Sequence, residues 1–189
     1  MDLSRVVRVC LISLVSVMIA SAQQVEVTSD GQHVLHLSPA QQGAVDDFLR
    51  LHPGMKLVGC QTTGPDANYC KTAYAQWEGA VEGQNATPQF PTTAWGDFRG
   101  KGMIDFAMAF HSDKVVNTFG GTFSEVVVFE NLGADHYRPV IVLTGAWGNC
   151  LDGMLFHPVR KQLEMWCNTA TATAKWNGST FVGHTRMGD

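Results

Sequence analysis

The sequence predicts an α+β domain: a twisted antiparallel sheet, or half-open barrel, carrying one helix near its N-terminus. Three observations point there. A single capped helical segment lies early in the chain, runs of alternating apolar residues fill the remainder, and turn signals of glycine, proline and asparagine separate those runs. An all-β meander with the helix as a plug is the alternative. At 189 residues, with 45% hydrophobic and 16% charged, the chain suits one domain with a substantial core. It is too short for a closed propeller and too apolar for an extended acidic tail.

The expected domain starts after residue 22. Arg5 and Arg8 precede an apolar run over residues 9–20, and Ala20-Ser21-Ala22 offers small residues at a cleavage spacing. This is the pattern of a secretory signal peptide, residues 1–22, with the single domain over 23–189. The run is shorter than the roughly 20 residues that cross a bilayer. Nothing later is long and apolar enough, so no transmembrane span is expected in the mature chain. Cleavage removes Arg5, Arg8 and Asp2 from 13 basic and 17 acidic residues, moving the formal charge from −4 to −5. The expected location is secreted or periplasmic. Without a basic stripe, nucleic acid is not an expected partner.

Cysteine usage fits export. Cys10 leaves with the signal, and Cys60, Cys70, Cys150 and Cys167 remain. Three pairings are possible, and Cys60–Cys70 with Cys150–Cys167 is preferred. The second follows from a hairpin: strands over 153–157 and 161–165 turning near Pro158 bring Cys150 and Cys167 together. A four-cysteine zinc site lacks the paired knuckle spacing.

The elements follow in order. Residues 25–28 and 33–37 flank Asp30-Gly31 and form a hairpin. Ser38, Pro39 and Gln41 supply a cap, a first-turn proline and a capping-box partner for a helix over 39–51, which Pro53 ends. Its apolar face is Val45, Phe48 and Leu49, extended by Ala44 and Leu51, and it covers one face of a sheet. A strand over 56–60, a strand or short helix over 69–77 and a long loop over 78–91 come next. Ile104, Phe106, Met108 and Phe110 then alternate with Asp105, Ala107 and Ala109, which places the even positions in the core. Further strands are expected at 125–130, 139–143, 154–156, 162–166, 171–176 and 181–183, with an Asn177-Gly178 turn between the last two.

The most specific local pattern is Gly96-Asp97-Phe98-Arg99-Gly100-Lys101-Gly102, leading into Ile104-Asp105-Phe106 and continuing through Val126-Val127-Val128-Phe129-Glu130-Asn131-Leu132-Gly133 to Tyr137 and Val140. Over residues 97–142 it resembles one degenerate unit of the FG-GAP or VCBS-type repeat family. That resemblance implies a propeller-blade-like unit whose aspartate loop often holds calcium. The family's loop positions fall on Asp97, Arg99, Lys101 and Asp105. Two of the four are cations here, and calcium needs six to eight oxygens. The expectation is therefore a structural turn without metal, in which Asp97 and Asp105 pair with those cations or accept backbone N–H groups.

Catalytic patterns are weak. No zincin helix, nucleophile elbow or phosphate-cradling loop occurs, so no cofactor is expected. Paired carboxylates run glycosidases, and Asp105 with Glu125 is the pair that would carry a small secreted glycan hydrolase. Aromatic residues give the better hint. Trp147 lies in the glycine-rich Thr144-Gly145-Ala146-Trp147-Gly148 stretch, and with Tyr137 and Trp95 it is a candidate binding residue. The leading functional expectation is a non-catalytic extracytoplasmic binding protein, an inhibitor or an envelope accessory protein. Its expected partner is another protein, with a cationic one favoured by the charge and a glycan ranked below it. A secreted hydrolase and a structural envelope protein are the alternatives.

Overall fold

A computed structural model of the chain describes residues 24–27, 33–57, 91–115, 122–145, 153–167 and 170–186. The signal peptide, Cys60, Cys70, Cys150, Trp147 and the segments 69–77 and 78–90 lie outside the described residues.

Among the described residues the architecture is mostly antiparallel β-sheet with one helix. β1 (Gln24–Val27) and β2 (His33–His36) pair as a separate hairpin. α1 (Pro39–Leu51) follows, and then β3 (Met55–Leu57) and β4 (Thr93–Gly96). These two short strands lie along one edge of the long β5 (Asp105–Val115). β6 (Thr122–Asn131) pairs with the other edge of β5, and β7 (Tyr137–Gly145) pairs with β6. The C-terminal strands β8 (Gly153–His157), β9 (Gln162–Cys167), β10 (Ala170–Trp176) and β11 (Phe181–Arg186) form a second, four-stranded meander. Both larger sheets are open, so the strands form two layers rather than one curled barrel. Among the described residues, no helix is long and apolar enough to cross a membrane.

The helix forms as its cap residues dictate. Ser38 Oγ accepts from Gln41 N–H at 3.3 Å, and Gln41 Oε1 accepts from Ser38 N–H at 2.9 Å. This capping box satisfies two otherwise orphaned donors, and Pro39 occupies the first turn, where its missing N–H costs nothing. At the far end, His52 N–H donates to Phe48 O and Leu49 O before Pro53 stops the helix. Val45 and Phe48 are buried, whereas Leu51 is 64% exposed. Ala44 and Leu49 pack against the same core, so the apolar face ends at Leu49 and not at Leu51.

The alternation in β5 has a different meaning from the one expected. Residues 105–110 are all buried, not only the even positions. Phe106, Met108 and Phe110 face α1 together with Val127 and Phe129 of β6. Ala107 and Ala109 face the second sheet, with Val126, Val128, Met154, Phe156, Leu163 and Met165. The central sheet thus separates two cores, a large-residue side under the helix and a small-residue side under the other sheet. Ile104 falls outside both and is 52% exposed. On the helix side Phe106 and Phe129 stack with ring centroids 4.5 Å apart, and Phe110 lies 4.9 Å from Phe48. Each such pair contributes about 0.5–1.5 kcal/mol beyond its area burial.

Register shows how β7 joins the inter-sheet core. Val126 pairs with Leu143 and Val127 with Ile141, so Val142 is an extra residue, a β-bulge. The bulge lets Val142 and Leu143 both pack toward the second sheet. The β8–β9 hairpin pairs His157 with Gln162 and Gly153 with Trp166, turning through Pro158 as expected. In the last turn, Asn177 Oδ1 accepts from Ser179 N–H, Ser179 Oγ and Thr180 N–H at 2.9–3.0 Å, while Gly178 takes a φ of 106°.

Two glycines leave no room for a side chain between the sheets. A Cβ on Gly183 would stand 2.7 Å from Leu143 Cδ2, and one on Gly96 would stand 2.3 Å from the Phe156 ring. Gly96→Ala is therefore expected to destabilise the fold by about 1–3 kcal/mol through overpacking. Gly43→Ala, on the exposed face of α1 with nothing within 4 Å, is expected to stabilise it by about 0.5–1 kcal/mol. Urea unfolding of both variants checks the contrast.

Candidate functional site

The best-defined polar cluster sits where the 97–104 loop meets the end of the central sheet. Asp105 opens β5, Glu130 and Asn131 close β6, and Arg138 begins β7. Phe106 pairs with Phe129, so Asp105 and Glu130 lie one rung further along the same ladder. Two neighbouring carboxylates with almost no exposure need a cation, and Arg99 supplies it. Its Nε donates to Asp105 Oδ2 at 3.0 Å and its Nη2 to Asp105 Oδ1 at 2.8 Å, a two-pronged pair. Nη2 also donates to Asn131 O at 2.6 Å, and Nη1 stands 3.8 Å from Glu130 Oε2. Side-chain exposures are 3% for Arg99, 0% for Asp105 and 1% for Glu130, so this is a desolvated charge network. Arg138 closes it from the solvent side, donating through Nε and Nη2 to Glu130 Oε2. Burial is the largest single influence and disfavours the Arg99 charge, but the Asp105 hydrogen bond together with the charges of Asp105, Glu130 and Asp97 outweighs it and holds the guanidinium more firmly protonated.

The loop itself is built around Asp97. Its carboxylate accepts from Lys101 N–H at 2.7 Å and Gly102 N–H at 3.0 Å, while Gly100 and Gly102 adopt φ of 70° and 73°. A side-chain-bearing residue would resist those two backbone angles. Partial burial opposes ionisation of Asp97, yet these N–H groups and Lys161 hold its carboxyl below the usual range. The loop also reaches the second sheet. Lys161 Nζ lies 3.6 Å from Asp97, Lys101 Nζ lies 5.6 Å from the Trp176 ring centroid, and the Phe98 ring meets Phe156 at 4.6 Å. Across the strand end, Asn131 N–H donates to Asp105 Oδ1 at 2.8 Å and Asn131 Nδ2 to Ile104 O at 3.3 Å. The space between Asp105 and Glu130 is filled by a side-chain cation. Among the described residues, no three His, Cys, Asp or Glu side chains converge as metal ligands do.

The carboxylates singled out from sequence for hydrolysis do not meet. Glu125 pairs in register with Phe110, on the helix side of the central sheet. Asp105 points to the opposite face, five residues from Phe110, which is roughly 16 Å of strand. Pleating therefore separates this pair on two counts. Glu125 is half-buried, and its Oε2 is enclosed without a hydrogen-bond partner. Burial raises its pKa above the ordinary glutamate value, and nearby His52 offsets only part of the rise.

Tyr137 and Trp95 are half-buried against the helix-side core. Tyr137 meets the Phe106 ring edge-on at 5.2 Å, and burial raises its phenol pKa. Both rings therefore help seal the core under α1. Sequence reasoning had not joined Glu130, Asn131 and Arg138 to the loop. The available signal was a glutamate directly after four apolar strand residues, a charge that needs a partner once buried.

No protein-family model, no curated protein and no solved structure matches the chain.

Two substitutions test this geometry. Arg99→Met leaves Asp105 uncompensated in a buried site and is expected to cost about 3–5 kcal/mol in urea unfolding. Glu125→Gln is expected to raise the melting temperature at pH 7, by a few degrees at most, and to have less effect at pH 4. The sign follows from linkage. With the folded pKa raised, Glu125 binds its proton more tightly in the native state. Its contribution is complete below the unfolded value and is lost as pH rises through the folded one.

Proposed function

We propose that the chain is a non-catalytic binding protein exported from the cytoplasm, an inhibitor or an envelope accessory protein. The observation that carries this reading is the way the loop cluster uses its charges. Asp105 and Glu130 are committed to Arg99 and Arg138, while the same loops leave two aliphatic residues in solvent. Ile104 and Leu132 are each 52% exposed, on backbones tied together through Asn131. Apolar side chains on loops already fixed lose little further freedom on binding, which favours a protein partner. The secretory signal, the disulfides Cys60–Cys70 and Cys150–Cys167, and a mature charge of −5 belong to the same proposal. The charge favours a cationic partner by long-range attraction. The blade-like resemblance of residues 97–142, with its aspartate loop ahead of β5, β6 and β7, is part of the proposal as a description of the scaffold. Trp147 remains a proposed contact residue.

Glu125 supports the second reading, a small secreted glycan hydrolase. A half-buried carboxyl with a raised pKa is what a general acid requires. It would need a second carboxylate about 5–9.5 Å away, and Asp105 is not that group.

The test is affinity capture from the native extracytoplasmic fraction, comparing the wild type with Ile104→Ser/Leu132→Ser and with Trp147→Ala. A specific partner weakened at least about tenfold by one of these variants is expected. Unchanged capture by both variants contradicts the binding reading. Glycan turnover abolished by Glu125→Gln establishes the hydrolase in its place.

A further inference from the structure

The four-stranded sheet has an inner face against the central sheet; on its opposite face Leu155 of β8 is buried, while the β10 and β11 side chains reach solvent. Ala172 and Ala174 of β10 lie in the inter-sheet core, so the alternate residues Thr171, Thr173 and Lys175 point outward. Register then sets Arg186 beside Thr171, His184 beside Thr173 and Val182 beside Lys175 on that outer face. From β9, Trp166 flanks Thr171 and Glu164 flanks Thr173 on the same face. Lys175, His184 and Arg186 are exposed, and Trp166 is half-buried.

Charge is unevenly shared along the chain. Residues 153–186 contain Arg160, Lys161, Lys175 and Arg186 against the single carboxylate Glu164, in a chain of formal charge −4. Glu164 is already paired with His157 at 3.0 Å, and Lys161 with Asp97 at 3.6 Å. No described carboxylate lies within ion-pair distance of Lys175 or Arg186.

We infer that the outer face of β9, β10 and β11 binds an acidic polysaccharide, a polymer of carboxylated sugars. The inference is independent of the protein-binding reading, which concerns the loops at the end of the central sheet. Lys175 and Arg186 lie roughly 13 Å apart along the strand direction. The threonine hydroxyls and the His184 imidazole between them both donate and accept hydrogen bonds. That spacing suits carboxylates on separate sugars with hydroxyl groups in between, and the Arg186 fork matches a carboxylate edge. Trp166 adds an apolar ring for a sugar face. A duplex carries one phosphate per about 1.7 Å of axis, far denser than these two cations. Anionic lipid surfaces select clusters of about 4–8 basic residues, which this face lacks.

The full chain is titrated calorimetrically with a galacturonate oligomer, a neutral galactose oligomer, a DNA duplex and phosphatidylglycerol vesicles. The galacturonate oligomer is expected to bind at least about tenfold more tightly than each of the others. Lys175→Ala/Arg186→Ala is expected to weaken that binding about tenfold or more while leaving the circular dichroism and melting temperature intact, because both side chains lie outside the cores. Lys175→Arg is expected to retain binding, and Ile104→Ser to bind as the wild type does. Absent galacturonate binding, equal binding of the neutral oligomer, stronger binding of duplex or vesicles, or full affinity in the folded double variant overturns the inference.

Discussion

The two-pronged contact between Arg99 and Asp105 is the constraint on which one end of the molecule depends. Asp105 begins the long central strand and has no exposure, so its charge must be met inside the protein. Arg99 can meet it only if the loop folds back over the sheet end, and the Asp97 turn makes that path possible. The returning loop brings Phe98 onto Phe156, Asp97 to Lys161 and Lys101 to Trp176. One buried charge pair thereby fixes a loop that bridges both large sheets. Replacing such a pair with apolar residues is often neutral in stability, so its value here is better described as specifying one loop path.

The second constraint is the central sheet's two-sided burial. Phe106, Met108, Phe110, Val127 and Phe129 lie on one face, and Ala107, Ala109, Val126 and Val128 on the other. The small-residue face allows the second sheet to approach closely, and Gly96 and Gly183 mark the two borders where even a methyl group would collide. The large-residue face needs the volume of Val45 and Phe48 from α1 to close it. Helix and second sheet are thus alternative solutions to the same requirement, chosen by side-chain size on each face of β5 and β6.

Much of the local structure was legible in the sequence. Ser38, Pro39 and Gln41 marked the helix start because capping is a local interaction, and Pro158 and Asn177-Gly178 marked turns for the same reason. What was not legible depended on contacts between distant segments. Ala107 and Ala109 read as the outward half of an alternation, because small residues carry no mark of the sheet that will cover them. The bulge at Val142 shifts β7 by one residue and leaves no signature in a β-rich run. At the candidate site, the aspartates and their neighbouring cations were visible within one short loop. Glu130 and Arg138 joined them only through strand register, some thirty residues later in the chain. The same register separated Asp105 from Glu125, which spacing along the sequence could not decide.

The most direct measurement of the central claim is native-state hydrogen exchange at the Asn131 amide. Asn131 ends a strand beside a turn, where amides ordinarily exchange through local fraying. Its N–H donates to Asp105 Oδ1, and its carbonyl accepts from Arg99. If the buried pair fixes this end of the sheet, the Asn131 amide exchanges with the same opening free energy as Val127 and Val128 in the core. Exchange at a much lower opening free energy, with those core amides still protected, would contradict the account.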